Sequence, residues 1–461
     1  KKEEKMIAYL KAFGAKHNLE TKVDEAGNVL IKKPATPGKE NLQTVVLQSH
    51  IDMVCEKNND VQHDFLTDPI ETEIDGEWLK AKGTTLGADN GIGVATELAI
   101  LADDSIEHGP LECLFTVDEE TGLTGAFALQ EGFMSGDILL NLDSEDEGEI
   151  FIGCAGGIDS VAEFTYKEVK VPAGYFFFKV EVKGLKGGHS GGDIHLGRGN
   201  ANKILNRFLS RMAGRHDLYL CEINGGNLRN AIPREAYAIC AVPEDAKHDV
   251  RTELNIFTSE MEDELSVVEP DLKLVLESEA PRKIAIDQDT TTRLLKALYA
   301  APHGVYAMSQ DIPGLVETST NLASVKMKPN HIIRIETSQR SSILSARNDM
   351  ANTVRAVFQL AGANVTFGEG YPGWKPNPHS AILEVAVESY KRLFGVDAKV
   401  KAIHAGLECG LFLDKYPTLD MISFGPTLTG VHSPDERMLI PTVEKFWKHL
   451  LDILAHVPAK K

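Results

Sequence analysis

The chain of 461 residues carries 48 Lys+Arg against 68 Asp+Glu, a formal net charge of −20, with 43% hydrophobic and 25% charged residues. Such a length exceeds one comfortable hydrophobic core and calls for two or three structural units, with the composition of an ordinary globular protein. The acidic balance argues against nucleic acid or an anionic membrane as the main partner, and no stretch is apolar for long enough to cross a bilayer.

KKEEKMIAYLKAFGAKHNLE (1–20) places Met6, Tyr9, Leu10 and Phe13 on one helical face. It has neither an apolar h-region nor a small-residue cleavage site, so an amphipathic helix is expected there and not a signal peptide. TVVLQSHIDMV (44–54), LECLFTVDEE (111–120) and DILLNLDSED (137–146) are apolar runs of strand length. Between the first two, Val94, Leu98 and Leu101 recur at helical spacing, and strand–helix–strand alternation predicts an α/β unit with a partly parallel sheet. From about residue 161 the pattern changes. FFFKVEVKGLKGG (176–188) alternates like a half-exposed strand, NANKILNRFLSRMAG (200–214) follows as a helix, and LYLCEI and REAYAICAV read as strand partners. NLASVKMKPNHIIRIETSQRSS and ANTVRAVFQLAG repeat that scheme weakly, without a sequence period. YPGWKPNPHS (371–380) reads as a boundary, after which SAILEVAVESYKRLFG is an amphipathic helix and LDMISFGP another strand.

The simplest architecture is one α/β domain split between the chain ends, residues 1–160 and 377–461, with an α+β domain inserted at 161–376. The six cysteines (Cys55, Cys113, Cys154, Cys221, Cys240, Cys409) contain no CxxC pair and read as buried, reduced thiols, so a cytoplasmic location is expected.

Three of the apolar runs end in polar groups that are costly to desolvate without partners. The first stops at His50 and Asp52, the second at Asp118, Glu119 and Glu120, the third at Asp143. GTTLGADNGIG (83–93) adds Asp89 just before a helix, and MISFGPTLTGVHSPDE (421–436) adds His432 in a turn-rich loop. Strand carboxyl ends line the ligand crevice of open α/β sheets, so these groups are expected to converge. Uncompensated, such carboxylates drive one another's pKa upward, and one or two divalent cations remove the conflict. Imidazole plus carboxylate without cysteine suits Zn²⁺, Mn²⁺ or Co²⁺ in a catalytic site. Taken singly each group has a bland explanation: a strand-end histidine, acidic residues at a helix start, and a solvated acidic loop at SEDEGE (144–149). Taken together they favour metal binding. A nucleotide site is not expected, because GADNGIG lacks the Lys-Ser/Thr of a phosphate loop and does not match GxGxxG.

HIDMV, GADNGIG, DEETG, LDSEDEGE, GGHSGG and HSPDE, in that order over nearly the whole chain, resemble the co-catalytic zinc peptidase family that contains peptidase T and the carnosinases. Many members carry Asp-Asp or Lys-Gly-Gly near the bridging position. Asp89-Asn90-Gly91 instead looks like the branch that accepts aminoacyl-histidine dipeptides. The resemblance implies a zinc-peptidase-type mixed α/β sheet flanked by helices, with the inserted α+β domain as lid and dimerisation module. It implies that His50, Asp89 and Asp143 hold one zinc and that Asp89, Glu120 and His432 hold the other, Asp89 bridging. Two Zn²⁺ per chain are thus expected, with Mn²⁺ or Co²⁺ as substitutes. Glu119 matches the general base and Asp52 the carboxylate that orients His50. His189 in GGHSGG matches a histidine that contacts the scissile carbonyl oxygen, in many relatives from a partner subunit. Asn230 and Arg340 match substrate-contacting positions, Arg340 for the substrate carboxylate, and Gly406 and Glu408 add backbone contacts.

The implied activity is hydrolysis of dipeptides, β-alanyl-histidine type included, by a water activated between two zinc ions with Glu119 as base. A homodimer is implied as well. Two rivals stand beside it: an N-acyl-amino-acid amidohydrolase of the same fold, and a non-catalytic metal- or peptide-binding protein, against which a base beside Glu120 speaks.

Overall fold

The structure, a computed structural model, describes residues 2–58 and 60–460. They form two compact units. The first takes in the chain up to Cys154, Trp374–Ala402 and Leu407 onward; the second is Ala155–Gly373 with Ile403–Gly406.

The first unit is built on an eight-stranded mixed sheet. Its strands are β1 (Glu20–Val23), β2 (Val29–Lys33), β3 (Val45–His50), β4 (Leu111–Thr116), β5 (Ile138–Asn141), β6 (Glu149–Cys154), β7 (Lys399–Ile403) and β8 (Asp420–Ser423), in the order β1-β2-β4-β3-β5-β8-β6-β7. The four central strands β4, β3, β5 and β8 run parallel, and β2 and β6 join them antiparallel. Every residue of β3, β4 and β5 is buried. This is why their sequences are continuous apolar runs without alternation: both faces of a parallel sheet are covered. Helix α1 (Glu4–Lys16) packs on β1 and β2, and α2 (Ala88–Ala102) on β3. Helix α3 (Ala381–Phe394) packs on β8 and against α4 (Ile440–Ala455). Ser380 caps α3 by accepting from the Leu383 N–H at 3.1 Å, and Pro441 opens α4, where its missing N–H costs nothing. A separate four-stranded sheet pairs Leu428–Thr429, Arg437–Leu439, Trp78–Ala81 and Thr72–Asp75.

The second unit is an antiparallel sheet of nine strands, among them Tyr175–Lys183, Ala236–Pro243, Val316–Lys328 and Ile332–Ser341. The helices Ala201–Ala213, Lys247–Leu265 and Leu344–Leu360 pack on it. Burial alternates along the second half of Tyr175–Lys183, as expected of a sheet with one covered face. Its core centres on Phe164, Phe178, Phe208, Phe257 and Phe358, all fully buried.

Two expectations need correction. All six cysteines are free, but Cys55 is exposed and Cys221 only partly covered. The acidic loop 144–149 is not simply solvated. Glu147 accepts from the Tyr390 hydroxyl and from Lys445 Nζ at 3.2 Å, and Glu149 pairs with Lys401 at 2.6 Å. Those partners come from the C-terminal part of the chain and leave no local sequence signal.

Candidate metal centre

The carboxyl ends of β3, β4 and β5 bring His50, Asp118–Glu120 and Asp143 to one edge of the first unit. Asp89 enters from the start of α2 and His432 from the loop between Leu428–Thr429 and Arg437–Leu439. The Asp89–Asn90 peptide is cis, and His432 has a positive φ of 63°.

His50 is 1% exposed. Its Nε2 lies 3.1 Å from Asp89 Oδ1 and 3.3 Å from Asp143 Oδ1. Its Nδ1 faces Asp52, 3.4 Å from Oδ1 and 3.1 Å from the carbonyl oxygen. The Asp52 carboxylate also accepts the backbone N–H groups of Glu119 at 3.0 Å and Glu120 at 3.1 Å. One side chain therefore fixes both the imidazole and the turn carrying the paired glutamates. On the other side, His432 Nε2 lies 3.1 Å from Asp89 Oδ2 and 3.0 Å from Glu120 Oε2. The two oxygens of Asp89 thus face two different histidines. His50, Asp89 and Glu120 each offer a ligand atom within 4.8 Å of the others.

The electrostatics follow from this packing. Burial pushes Glu119 well above the usual carboxylate range, with Asp143 adding to it, and pushes Asp143 up to about 6. Glu145, a neighbour absent from the expected site, rises to about 8 through burial and the charges of Asp89 and Asp143. Asp89 runs the other way: burial would raise it, but hydrogen bonds to His432 and His50 hold it below the normal range. His432 is raised to about 10 by its bonds to Asp89 and Glu120, and His50 is raised by its carboxylates against the opposing effect of burial. Protonated imidazoles thus supply positive charge among the carboxylates. Even so, Glu120 Oε1 is buried with no hydrogen-bond partner among the described residues, and Asp143 Oδ1 shares the single Nε2 proton of His50 with Asp89 Oδ1. Buried carboxylates short of donors, arranged with two imidazoles, fit divalent cations of the Zn²⁺ or Mn²⁺ type.

Glu408 lies in the same unit and is 1% exposed. Its carboxylate accepts from Gln48 Nε2 at 2.7 Å and Thr116 Oγ1 at 2.9 Å, and burial raises its pKa to about 7.

His189, Asn230, Arg340 and Gly406 belong to the second unit. His189 Nδ1 accepts the N–H groups of Gly191 (3.2 Å) and Gly192 (3.0 Å). Burial, aided by the Arg340 charge, lowers its pKa to about 4. A neutral imidazole whose Nδ1 accepts must carry its proton on Nε2. Asn230 is exposed, and its carbonyl accepts the Ser190 N–H at 2.8 Å. Arg340 is 7% exposed. Its Nη1 donates to the Tyr371 hydroxyl at 2.9 Å, while its Nε is buried without a partner among the described residues. A Cβ on Gly406 would come within 2.9 Å of the Tyr371 ring. His404, which sequence reasoning missed, is held at a pKa of about 3 by burial and by the charges of Arg340 and His189, with Nε2 2.7 Å from Ser319 Oγ. Its position in HAGLECG carries no motif that marks it.

The model of peptidase family M20/M25/M40 matches residues 46–456. The chain belongs to that family and is a metal-dependent peptide-bond hydrolase. The cytosol non-specific dipeptidase of Escherichia coli K12 is 47% identical over 458 residues, 99% of this chain and 94% of that protein. The crystal structure of aminoacylhistidine dipeptidase from Vibrio alginolyticus superposes with a TM-score of 0.92 at 47% identity, covering 100% of this chain and 94% of that one. Aminopeptidase PepT from Bacillus cereus shares the fold, with a TM-score of 0.59 at 16% identity and coverage of 98% and 92%. The expected family and fold class are therefore borne out.

Proposed function

We propose that the chain is a dipeptidase with two Zn²⁺, one held by His50, Asp89 and Asp143 and the other by Asp89, Glu120 and His432, acting on dipeptides that include the Xaa-His class. The observation that carries this reading is the sharing of Asp89 between two imidazoles, beside a buried Glu120 oxygen that has no donor among the described residues. The 47% identity to two dipeptidases supports the substrate class. Two ions held there would polarise the scissile carbonyl and acidify a water between them.

The remaining chemistry belongs to the chain. Glu119 takes the proton of the attacking water and passes it to the leaving amine; its burial favours holding that proton during transfer. Asp52 fixes His50 and the Glu119–Glu120 turn together. His189, with its proton on Nε2, donates to the developing oxyanion. The unpartnered Nε of Arg340 supports capture of the dipeptide carboxylate, beside Asn230, Gly406 and Glu408 as further substrate-binding positions. The inserted domain acts as lid and dimerisation module of a homodimer. The relative's name, together with the free thiols, supports a cytoplasmic location. The test is a panel of free dipeptides against N-acetylated amino acids, with and without chelator. Turnover of dipeptides alone, abolished by chelator, is expected; preference for the acylated amino acids would make the chain an amidohydrolase.

A further inference from the structure

The geometry points to Glu436 as a positioning residue for the metal centre, one that sets Asp89 through its backbone and touches neither metal nor substrate. This inference rests on the ligand assignment proposed above.

The start of α2 has an unmet need. Gly87 precedes the helix with a φ of 71° and has no side chain to cap it. The first N–H groups of a helix have no partner within it. Asp89 and Asn90 have non-helical φ/ψ, so the N–H groups of Leu86, Gly87, Ala88 and Asp89 lie ahead of the regular helix, and all four are taken by one carboxylate from 347 to 350 residues away. Glu436 Oε2 accepts from Leu86 N (2.8 Å) and Gly87 N (3.1 Å), and Oε1 accepts from Ala88 N (2.8 Å) and Asp89 N (3.3 Å). The residue is 2% exposed. Four N–H groups converging on one buried carboxylate meet the hydrogen-bonding need of both its oxygens.

The clamp is more than a cap because of where Glu436 sits. It lies four residues after His432 and directly before the strand Arg437–Leu439, which pairs with Leu428–Thr429 and Trp78–Ala81. Its own N–H donates to Ser433 O at 3.0 Å. One short, sheet-anchored segment therefore presents His432 to Asp89 Oδ2 and grips the backbone of Asp89 itself. A bridging carboxylate must aim two oxygens at two ligand groups at once, so a small shift of its backbone disturbs both sides. Glutamine in place of Glu436 has one carbonyl acceptor, and its NH₂ would face N–H donors.

The test is titration of Zn²⁺ alone into chelator-stripped full-length protein against a competing chromogenic chelator. Wild type is compared with Glu436→Gln, Glu436→Ala, Asp89→Asn and, as a charge-matched control, Glu444→Gln, whose carboxylate is 72% exposed on α4. The weaker Zn²⁺ affinity is expected to fall about 10–100-fold in both Glu436 variants. With saturating Zn²⁺, kcat should fall while KM stays near wild type, and Glu444→Gln should superpose on wild type. A wild-type isotherm in folded Glu436→Gln would overturn the positioning role. So would loss of the folded metal-free protein in both Glu436 variants by circular dichroism, which would make the residue a staple of the fold. Wild-type affinity in Asp89→Asn would instead overturn the ligand assignment beneath it, so the two failures are distinguishable.

Discussion

Two imidazoles share the carboxylate of Asp89, and that sharing explains why its pKa falls while those of Asp143 and Glu145 rise. The expectation that crowded carboxylates all shift upward holds only for those without a histidine on each oxygen. The same pairs have a consequence for metal uptake. Without metal, His432 titrates at about 10 and His50 also sits above its ordinary value. Ligation through these imidazoles, as proposed, needs them neutral, so metal binding is expected to expel protons and weaken as pH falls. Calorimetry of Zn²⁺ binding at pH 7 in two buffers of different ionisation enthalpy should show net proton release; a result independent of buffer would contradict it. Glu119→Gln should lower kcat by about 10²–10⁴ while metal content is kept. Parallel loss of metal would place Glu119 among the ligands. His189→Ala should cost about 10²–10³ in kcat with the Tm nearly unchanged, and an unchanged kcat would remove it from the oxyanion role. The proposed ligands were legible because polar groups closing apolar runs are conspicuous. Glu436 was not, since its partners are backbone N–H groups some 350 residues away and no side-chain pattern reports them.

At the scale of elements, β3 is the rigid ruler of the centre. All six of its residues are buried, and Leu47 is wholly so. Leu47→Ala should cost about 2–5 kcal/mol by urea unfolding, the range for a large-to-small change in a packed core. A loss under about 1 kcal/mol would mean that the strand tolerates collapse there. Behind β3, α2 buries Glu97, whose Oε1 accepts from Ser49 Oγ at 2.6 Å. Burial holds this carboxyl well above the usual range. A group raised on folding contributes fully below its unfolded pKa of about 4.3, and that contribution is lost as pH rises through the folded value. Stability should therefore decline on the alkaline side, and Glu97→Gln should flatten that decline in denaturation series from pH 5 to 9. An unchanged slope would show that Glu97 is not the group responsible. Strands and helices were readable here because the parallel core gives unbroken apolar runs and the second unit gives alternation. The acidic loop 144–149 was misread because Tyr390, Lys401 and Lys445, which cover it, lie some 240–300 residues onward.

At the scale of the molecule, the unit that carries the proposed metal centre is assembled from both ends of the chain, so His432 meets Asp89 across 343 residues of sequence. Sequence order hides such a pairing: His432 was readable as a polar group in a turn-rich loop after the last strand, and the family resemblance supplied its partners Asp89 and Glu120. A homodimer is expected to elute at twice the chain mass in light scattering; a monomer at working concentration would confine the proposed chemistry to a single chain. The central claim is that two metal ions at the Asp89 centre make this chain a dipeptidase. Its most direct test is β-alanyl-histidine and alanyl-dipeptide hydrolysis by chelator-stripped protein as Zn²⁺ is restored in measured equivalents. Activity should be absent at zero and reach its plateau at two equivalents per chain. Full turnover in the stripped protein, or none at any Zn²⁺ level, would contradict the account.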